Sequence, residues 1–228
     1  MTSKTSHTIK HRDNAKDVFI TPVELAKKHI NFTKQNLEPK MFFNCEDGNY
    51  EEVEGRKADF WYDPFKNSGN YYNNFPDPGM RDWAEILEGK DFFNYEPGKG
   101  YRHANQDNLV ICSNPPYSMM DKVYERCIKL GAKVISFLVA FHSITPRRIE
   151  YMEKAGYKIK FLHICKVFKW YGMSCIVIFE KLEEDDPRFG LMGIVGGVSG
   201  SSMGLLSYDR KVWRLDEDKK QSKTDKNQ

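Results

Sequence analysis

Asn114-Pro115-Pro116-Tyr117 follows directly on the apolar run Leu109-Val110-Ile111-Cys112. These residue types in this order suit the chemistry of an amine. Two successive prolines remove two backbone donors and fix φ, so a loop leaving a strand here is stiff and presents carbonyl oxygens instead of N–H groups. The Asn114 side-chain oxygen and the Pro115 carbonyl together can accept both hydrogens of a planar NH2 group, leaving its nitrogen aimed at an electrophile. Tyr117 offers a ring face for the heterocycle carrying that amine.

Three other segments have the residue types of a nucleotide site. Ala58-Asp59-Phe60-Trp61-Tyr62 reads as a buried strand, and it runs into Asp63-Pro64-Phe65-Lys66-Asn67-Ser68-Gly69, a turn with a helix expected after it. A glycine at such a turn lets backbone approach a ligand. Trp83-Ala84-Glu85-Ile86 is expected to form the next short strand, with Glu85 near its carboxyl end, where an acidic side chain suits ribose hydroxyls; Asp82 is the alternate. Upstream, Thr21, Pro22 and Glu24 have the N-cap, first-turn proline and capping-box spacing of a helix start, and a helix N-terminus also attracts an anion.

In this order the segments resemble the S-adenosylmethionine-dependent amino methyltransferases, in particular those acting on the exocyclic N6 of adenine in DNA. The resemblance covers roughly residues 17 to 181 and rests on four segments. Asn114-Pro115-Pro116-Tyr117 is similar to the family's catalytic Asp/Asn/Ser-Pro-Pro-aromatic loop. Asp63 to Gly69 is similar to its Asp-Pro-Phe-x-Gly-Ser-Gly loop, with Asn67 standing where a glycine is usual, so that Asn67 must adopt a left-handed conformation or the turn be reshaped. Gly89-Lys90-Asp91-Phe92 is similar to a Gly-x-Asp-Phe segment, and the Thr-Pro pair to a segment ahead of the first helix.

The resemblance implies S-adenosyl-L-methionine as cofactor. Asp63 would orient its ammonium group beside Pro64, Phe65, Ser68 and Gly69; Phe19, Thr21 and Pro22 would meet its carboxylate; Glu85 would take the ribose, and Asp91 and Phe92 the adenine. Asn114 adjoins both cofactor and substrate. Phe168 or Trp170, with Lys169 between them, would complete the base pocket opposite Tyr117, and no metal is implied.

The elements that must position these residues follow from hydrophobic period. Residues 120 to 130 suit an amphipathic helix, 133 to 140 a buried strand, 147 to 155 a helix after Pro146, and 159 to 165 and 175 to 180 two further strands. Alternation of helix and strand implies an α/β, Rossmann-like and mostly parallel sheet, and the last two strands, joined without a helix, are expected to pair antiparallel. A mobile tail over 1–16, a methyltransferase domain over 17–186, and a Gly/Ser-rich segment with a charged tail over 187–228 complete the expected organisation.

Composition bounds the partners. The chain has 228 residues, enough for one sizeable core, and a net charge of only +3, so nucleic acid would have to be held by local basic patches. The candidate patches are Lys27-Lys28, Lys66, Lys99 with Arg102 and His103, Arg147-Arg148, and Lys166 with Lys169 beside Trp170 and Tyr171, of which the region from Lys166 to Met173 is the most interesting. No apolar run approaches the ~20 residues of a membrane span, the start lacks a signal peptide's apolar middle, and none of the 5 cysteines forms a Cys-x-x-Cys pair. A soluble intracellular enzyme with reduced thiols is expected. DNA is the expected partner, with RNA, the amide of a protein glutamine, or a non-catalytic DNA-binding subunit of the same fold as alternatives. A partner protein or a second copy would help read any long recognition sequence.

Overall fold

The apolar runs become strands buried on both faces, which is why they read as continuous rather than alternating. The computed structural model describes residues 20–37, 42–43, 50–51, 59–99, 108–167, 172–182 and 205–212. Helix α1 spans Val23–Leu37 and is followed by a small antiparallel pair, β1 (Phe42–Phe43) and β2 (Tyr50–Glu51). The main sheet is built from β3 (Phe60–Asp63), β4 (Arg81–Trp83), β5 (Leu109–Ser113), β6 (Val134–Ala140), β7 (Tyr157–Lys166), β8 (Ser174–Lys181) and β9 (Leu205–Val212). Helices α2 (Met120–Lys129) and α3 (Pro146–Lys154) lie between β5 and β6 and between β6 and β7.

Strand order is β4-β3-β5-β6-β8-β7-β9. β4, β3, β5 and β6 are mutually parallel; β8 runs antiparallel between β6 and β7, the expected terminal pair; and β9 lies parallel to β7. β9 comes from within 187–228, so the sheet takes in a strand beyond residue 186. Order reverses between β3 and β5, where the first strand sends one neighbour to each side. In open α/β sheets ligands bind outside the carboxyl ends of the strands at such a point. Asp63 and Ser113 end those two strands.

Alternate residues of each strand feed two cores. Phe60, Tyr62, Ile111, Ile135 and Phe137 pack with Met120, Val123, Tyr124 and Cys127 of α2 and Met152 of α3. Trp61, Val110, Cys112, Val134, Leu138 and Ile176 pack with Leu25, Ala26 and Ile30 of α1. The described thiols, Cys112, Cys127, Cys165 and Cys175, are free and buried.

Three local expectations change. The helix expected after Asp63 is absent: the crossover from β3 to β4 holds only a 3-10 turn over Tyr72–Asn74. The short strand expected around Glu85 ends earlier, at Trp83, and Glu85 instead caps the 3-10 turn Ile86–Glu88. The first turn of α1 closes on Pro22, whose carbonyl accepts from Ala26 N at 2.9 Å, one residue later than a Thr21 cap requires. Thr145 does cap α3, accepting from Arg148 N, with Pro146 in the first turn.

Candidate functional site

Asp63 closes β3 fully buried, and its neighbours satisfy only half of it. Oδ1 accepts from Ser113 Oγ at 2.8 Å and from Phe65 N at 3.2 Å, whereas Oδ2 has no donor within the protein. Burial pushes the carboxyl up to about 7, against the lowering effect of those hydrogen bonds and of the nearby Tyr72 backbone N–H. An acid held this way is disposed to gain a cationic partner.

The chain then turns through Asn67, which takes the left-handed conformation required of it, with φ 46, and through Gly69 with φ 79. Glycine is needed there for φ, while the Asn73 Nδ2 that a Cβ would meet at 2.8 Å is the end of an exposed side chain that can move aside. Glu85 holds this turn from the next strand end: its Oε2 accepts from Asn67 N at 2.9 Å and its Oε1 from Leu87 N at 3.2 Å. Asp82, the alternate acid, faces inward, accepting from Trp83 N, Tyr95 hydroxyl and Gly98 N.

At the end of β5, the Asn114 amide Nδ2 donates to Thr21 Oγ1 at 3.1 Å, while Oδ1 is buried with no donor within the protein. Thr21 is itself buried, and its carbonyl accepts from Asn70 Nδ2 at 2.8 Å. Three separated segments thus meet at one cleft. Thr21 comes from the entrance to α1, Phe65 to Ser68, Asn70 and Tyr71 from the β3–β4 crossover, and Ser113 and Asn114 from the end of β5.

Other sequence-derived candidates are not part of this lining. Pro64 and Gly69 are buried and Pro22, next to Thr21 in the chain, is half-buried. Asp91 organises its own loop, accepting from Phe93 N at 3.1 Å and Asn94 Nδ2 at 2.8 Å. Phe92 is buried against Tyr62 and Phe65, the latter edge-on with centroids 5.2 Å apart, so it supports Phe65, which does line the cleft. Pro115 is buried, Pro116 precedes a 3-10 turn, and Tyr117 opens that turn half-buried against the α2 side of the core. Phe19, Phe168, Lys169 and Trp170 lie outside the described residues. Lys66 is engaged by Glu88 at 2.8 Å and sits 3.8 Å over the Trp83 ring. Arg148 is engaged by Asp121 at 2.6 Å.

Sequence reasoning missed Ser113, Asn70 and Tyr71. Ser113 had a signal, as the last residue before the double-proline loop. Tyr71 had none, because its partners lie far along the chain. Among the described residues no group of three or more His, Cys, Asp or Glu side chains could hold a metal ion, and no helix is long and apolar enough to cross a membrane.

No family model and no curated relative matches the sequence. Solved structures do. A protein from Listeria monocytogenes, described as a class I S-adenosylmethionine-dependent methyltransferase, superposes with a TM-score of 0.53 at 13% identity, covering 96% of this chain and 74% of that one. The methyltransferase domain of METTL16 gives a TM-score of 0.36 at 8% identity over 78% of this chain and 92% of that one. With the strand order and the antiparallel β8 described above, the first likeness establishes that the chain has the fold of the class I S-adenosylmethionine-dependent methyltransferases.

Proposed function

We propose that the chain is an S-adenosylmethionine-dependent methyltransferase acting on the exocyclic N6 of adenine in DNA. The observation that carries this reading is the Asn114 amide: its nitrogen is committed to Thr21, and its oxygen is left without a donor beside the cleft at the sheet's switch point. The residues fit the cofactor, because the buried Asp63 Oδ2 lacks a donor that the cofactor's ammonium group would supply, and Asn114 Oδ1 lacks one that the substrate's planar amine would supply. Asp63 with the Asn67–Gly69 turn would hold its methionine end, and Thr21 would lie beside its carboxylate. Bound there, S-adenosylmethionine supplies an electrophilic sulfonium methyl.

The chain's own residues do the rest. Asn114 Oδ1 and the Pro115 carbonyl accept the amine hydrogens, and they bind the pyramidal, partly positive nitrogen of the transition state more strongly than the flat ground state. No strong base is then required. Tyr117 stacks on the base once it has left its helix. Phe168 or Trp170 is assigned the opposite face, and Lys169 the adjacent phosphate.

The test is transfer of a tritiated methyl group to unmethylated DNA, RNA and protein in parallel, with nucleoside mass spectrometry of the product. N6-methyladenine in DNA is the expected product. Label confined to RNA, or to a glutamine amide, would replace the substrate, and no binding of S-adenosylmethionine by calorimetry would make the chain a binding subunit. Asn114→Ala should lower kcat by about 100-fold or more with cofactor affinity retained, on the scale of losing one preorganised transition-state contact; near-native turnover would remove the catalytic assignment.

A further inference from the structure

Beneath the cleft, a run of polar side chains crosses the core where apolar packing is expected. Tyr71 hydroxyl lies 2.8 Å from His29 Nδ1, His29 Nε2 lies 2.9 Å from Ser136 Oγ, and Ser136 Oγ lies 2.7 Å from Thr33 Oγ1. His29 and Thr33 share one face of α1, four residues apart, and Ser136 is placed under them by its register beside Cys112. His29, Thr33 and Ser136 are fully buried, Tyr71 nearly so. Such a network costs stability unless every member is satisfied.

With each of these bonds made, the hydrogens take one order, and Cys112 Sγ, 3.8 Å from Thr33 Oγ1 and 3.9 Å from His29 Nε2, adds only weak contacts to the same groups. Thr33 Oγ1 donates to the His29 carbonyl at 2.9 Å, and a carbonyl cannot donate back. Thr33 has therefore spent its proton, so Ser136 must donate to Thr33. Ser136 has then spent its own, so His29 Nε2 must carry a hydrogen and donate to Ser136. Burial holds His29 neutral, pushing its pKa down to about 3, so Nδ1 is a bare acceptor and Tyr71 donates to it. Tyr71 then has only lone pairs left to offer the Thr21 hydroxyl, which lines the cleft beside it. Thr21 can then only accept from Asn114, which it does, from Nδ2.

We propose that this run is a one-way hydrogen-bond wire, anchored on the His29 carbonyl, that fixes which end of the Asn114 amide is turned away from Thr21 and left to accept the substrate amine. Tyr71, His29 and Thr21 are thereby positioning residues. The assignment rests on the reading of Asn114 as the amine acceptor given above. An amide is the one acceptor that needs such a device, since its two ends are similar in shape and opposite in hydrogen-bonding sense. A carboxylate at the same position has no wrong end.

That difference supplies the test. In the natural background, Tyr71→Phe frees the Thr21 proton, so the amide can turn over; kcat for methyl transfer should fall about tenfold, with KM for S-adenosylmethionine within about twofold. In an Asn114→Asp background the freed Thr21 proton meets an acceptor, so adding Tyr71→Phe should raise kcat. Equal falls in both backgrounds would mean that Tyr71 is only a packing residue and would overturn the wire. An independent reading needs no turnover: nitrogen-15 spectroscopy of the intact chain should show His29 as the Nε2–H tautomer, unchanged from about pH 5.5 to about pH 8. The Nδ1–H tautomer would overturn the wire. Absence of methyl transfer with the Nε2–H tautomer present would instead fail the functional reading and leave the wire in place.

Discussion

With the role proposed for it, Asp63 would carry opposite demands from folding and from binding. Its carboxyl is raised to about 7 by burial, so the folded chain favours the protonated form more than the unfolded chain does. The stability this supplies is full below the ordinary carboxylate range near pH 4 and is lost as pH rises through about 7. Asp63→Asn should therefore raise stability at pH 8 relative to the natural chain, by up to about 4 kcal/mol, with the gap closing toward pH 4 in denaturation series. The same substitution should weaken S-adenosylmethionine binding at pH 8, since the ammonium partner is lost. In the natural chain, affinity should rise with pH up to about 7 and binding should release a proton, read by calorimetry in buffers of different ionisation enthalpy. A pH-independent affinity would exclude Asp63 as the cationic contact. Tyr117 is a simpler case. Tyr117→Phe should keep most activity because the ring face survives, whereas Tyr117→Ala should cost roughly 1–3 kcal/mol on the nucleic-acid side and leave cofactor affinity unchanged.

The β3–β4 crossover is the element on which the site depends most. With no α-helix in it, its shape comes from two positive-φ residues and from bonds to its flanks: Lys66 N donates to the Ala84 carbonyl at 2.9 Å and Asn67 N to Glu85. Glu85 thus acts on the cleft through the loop it holds. Gly69→Ala adds a Cβ at φ 79 and 2.8 Å from Asn73 Nδ2, and should cost about 1–2 kcal/mol of stability together with weaker S-adenosylmethionine binding. Asn67→Gly, which removes a side chain from a left-handed position, should be neutral within about 1 kcal/mol. Urea denaturation of the two variants checks both; equal costs would mean that the turn relaxes freely.

Across the whole molecule, the site joins the entrance to α1, the crossover after β3 and the end of β5, segments that unfolding would scatter. Ligand binding should therefore stabilise the chain as a unit. At about 100 times its Kd, S-adenosylmethionine should add about 2.7 kcal/mol and raise Tm by roughly 5–10 °C in a single transition, measured by calorimetry. An unchanged Tm at that concentration would show that the three segments do not form one cofactor site. The net charge of +3, with Lys66, Arg148 and Lys27 already engaged by Glu88, Asp121 and Glu24, leaves electrostatic capture of a polyanion to local groups.

Strand ends and rigid loops were legible in the sequence because they are written locally. Buried strands need continuous apolar runs, and Asp63-Pro64 and Asn114-Pro115-Pro116 stop them at defined residues. Hence β5, β6, β8, α2 and α3 lie within a residue or two of their expected bounds, the antiparallel pairing of β7 and β8 follows from a connection with no helix, and the left-handed Asn67 follows from its type and place. Sheet order and register were not legible, since no local pattern states which strands become neighbours. The crossover after β3 shows the limit: its turn residues were plain, yet tertiary packing of Tyr71 and Phe75 against α1 and Trp61 replaced the expected helix. Thr21 shows it again. Local spacing allowed a helix cap, and the fold gave its hydroxyl to Asn114, 93 positions away. Only the packing of α1 and the β3–β4 crossover on the sheet brings His29 to Tyr71 and Ser136, because satisfying buried donors and acceptors is a three-dimensional requirement that the order of residues does not express.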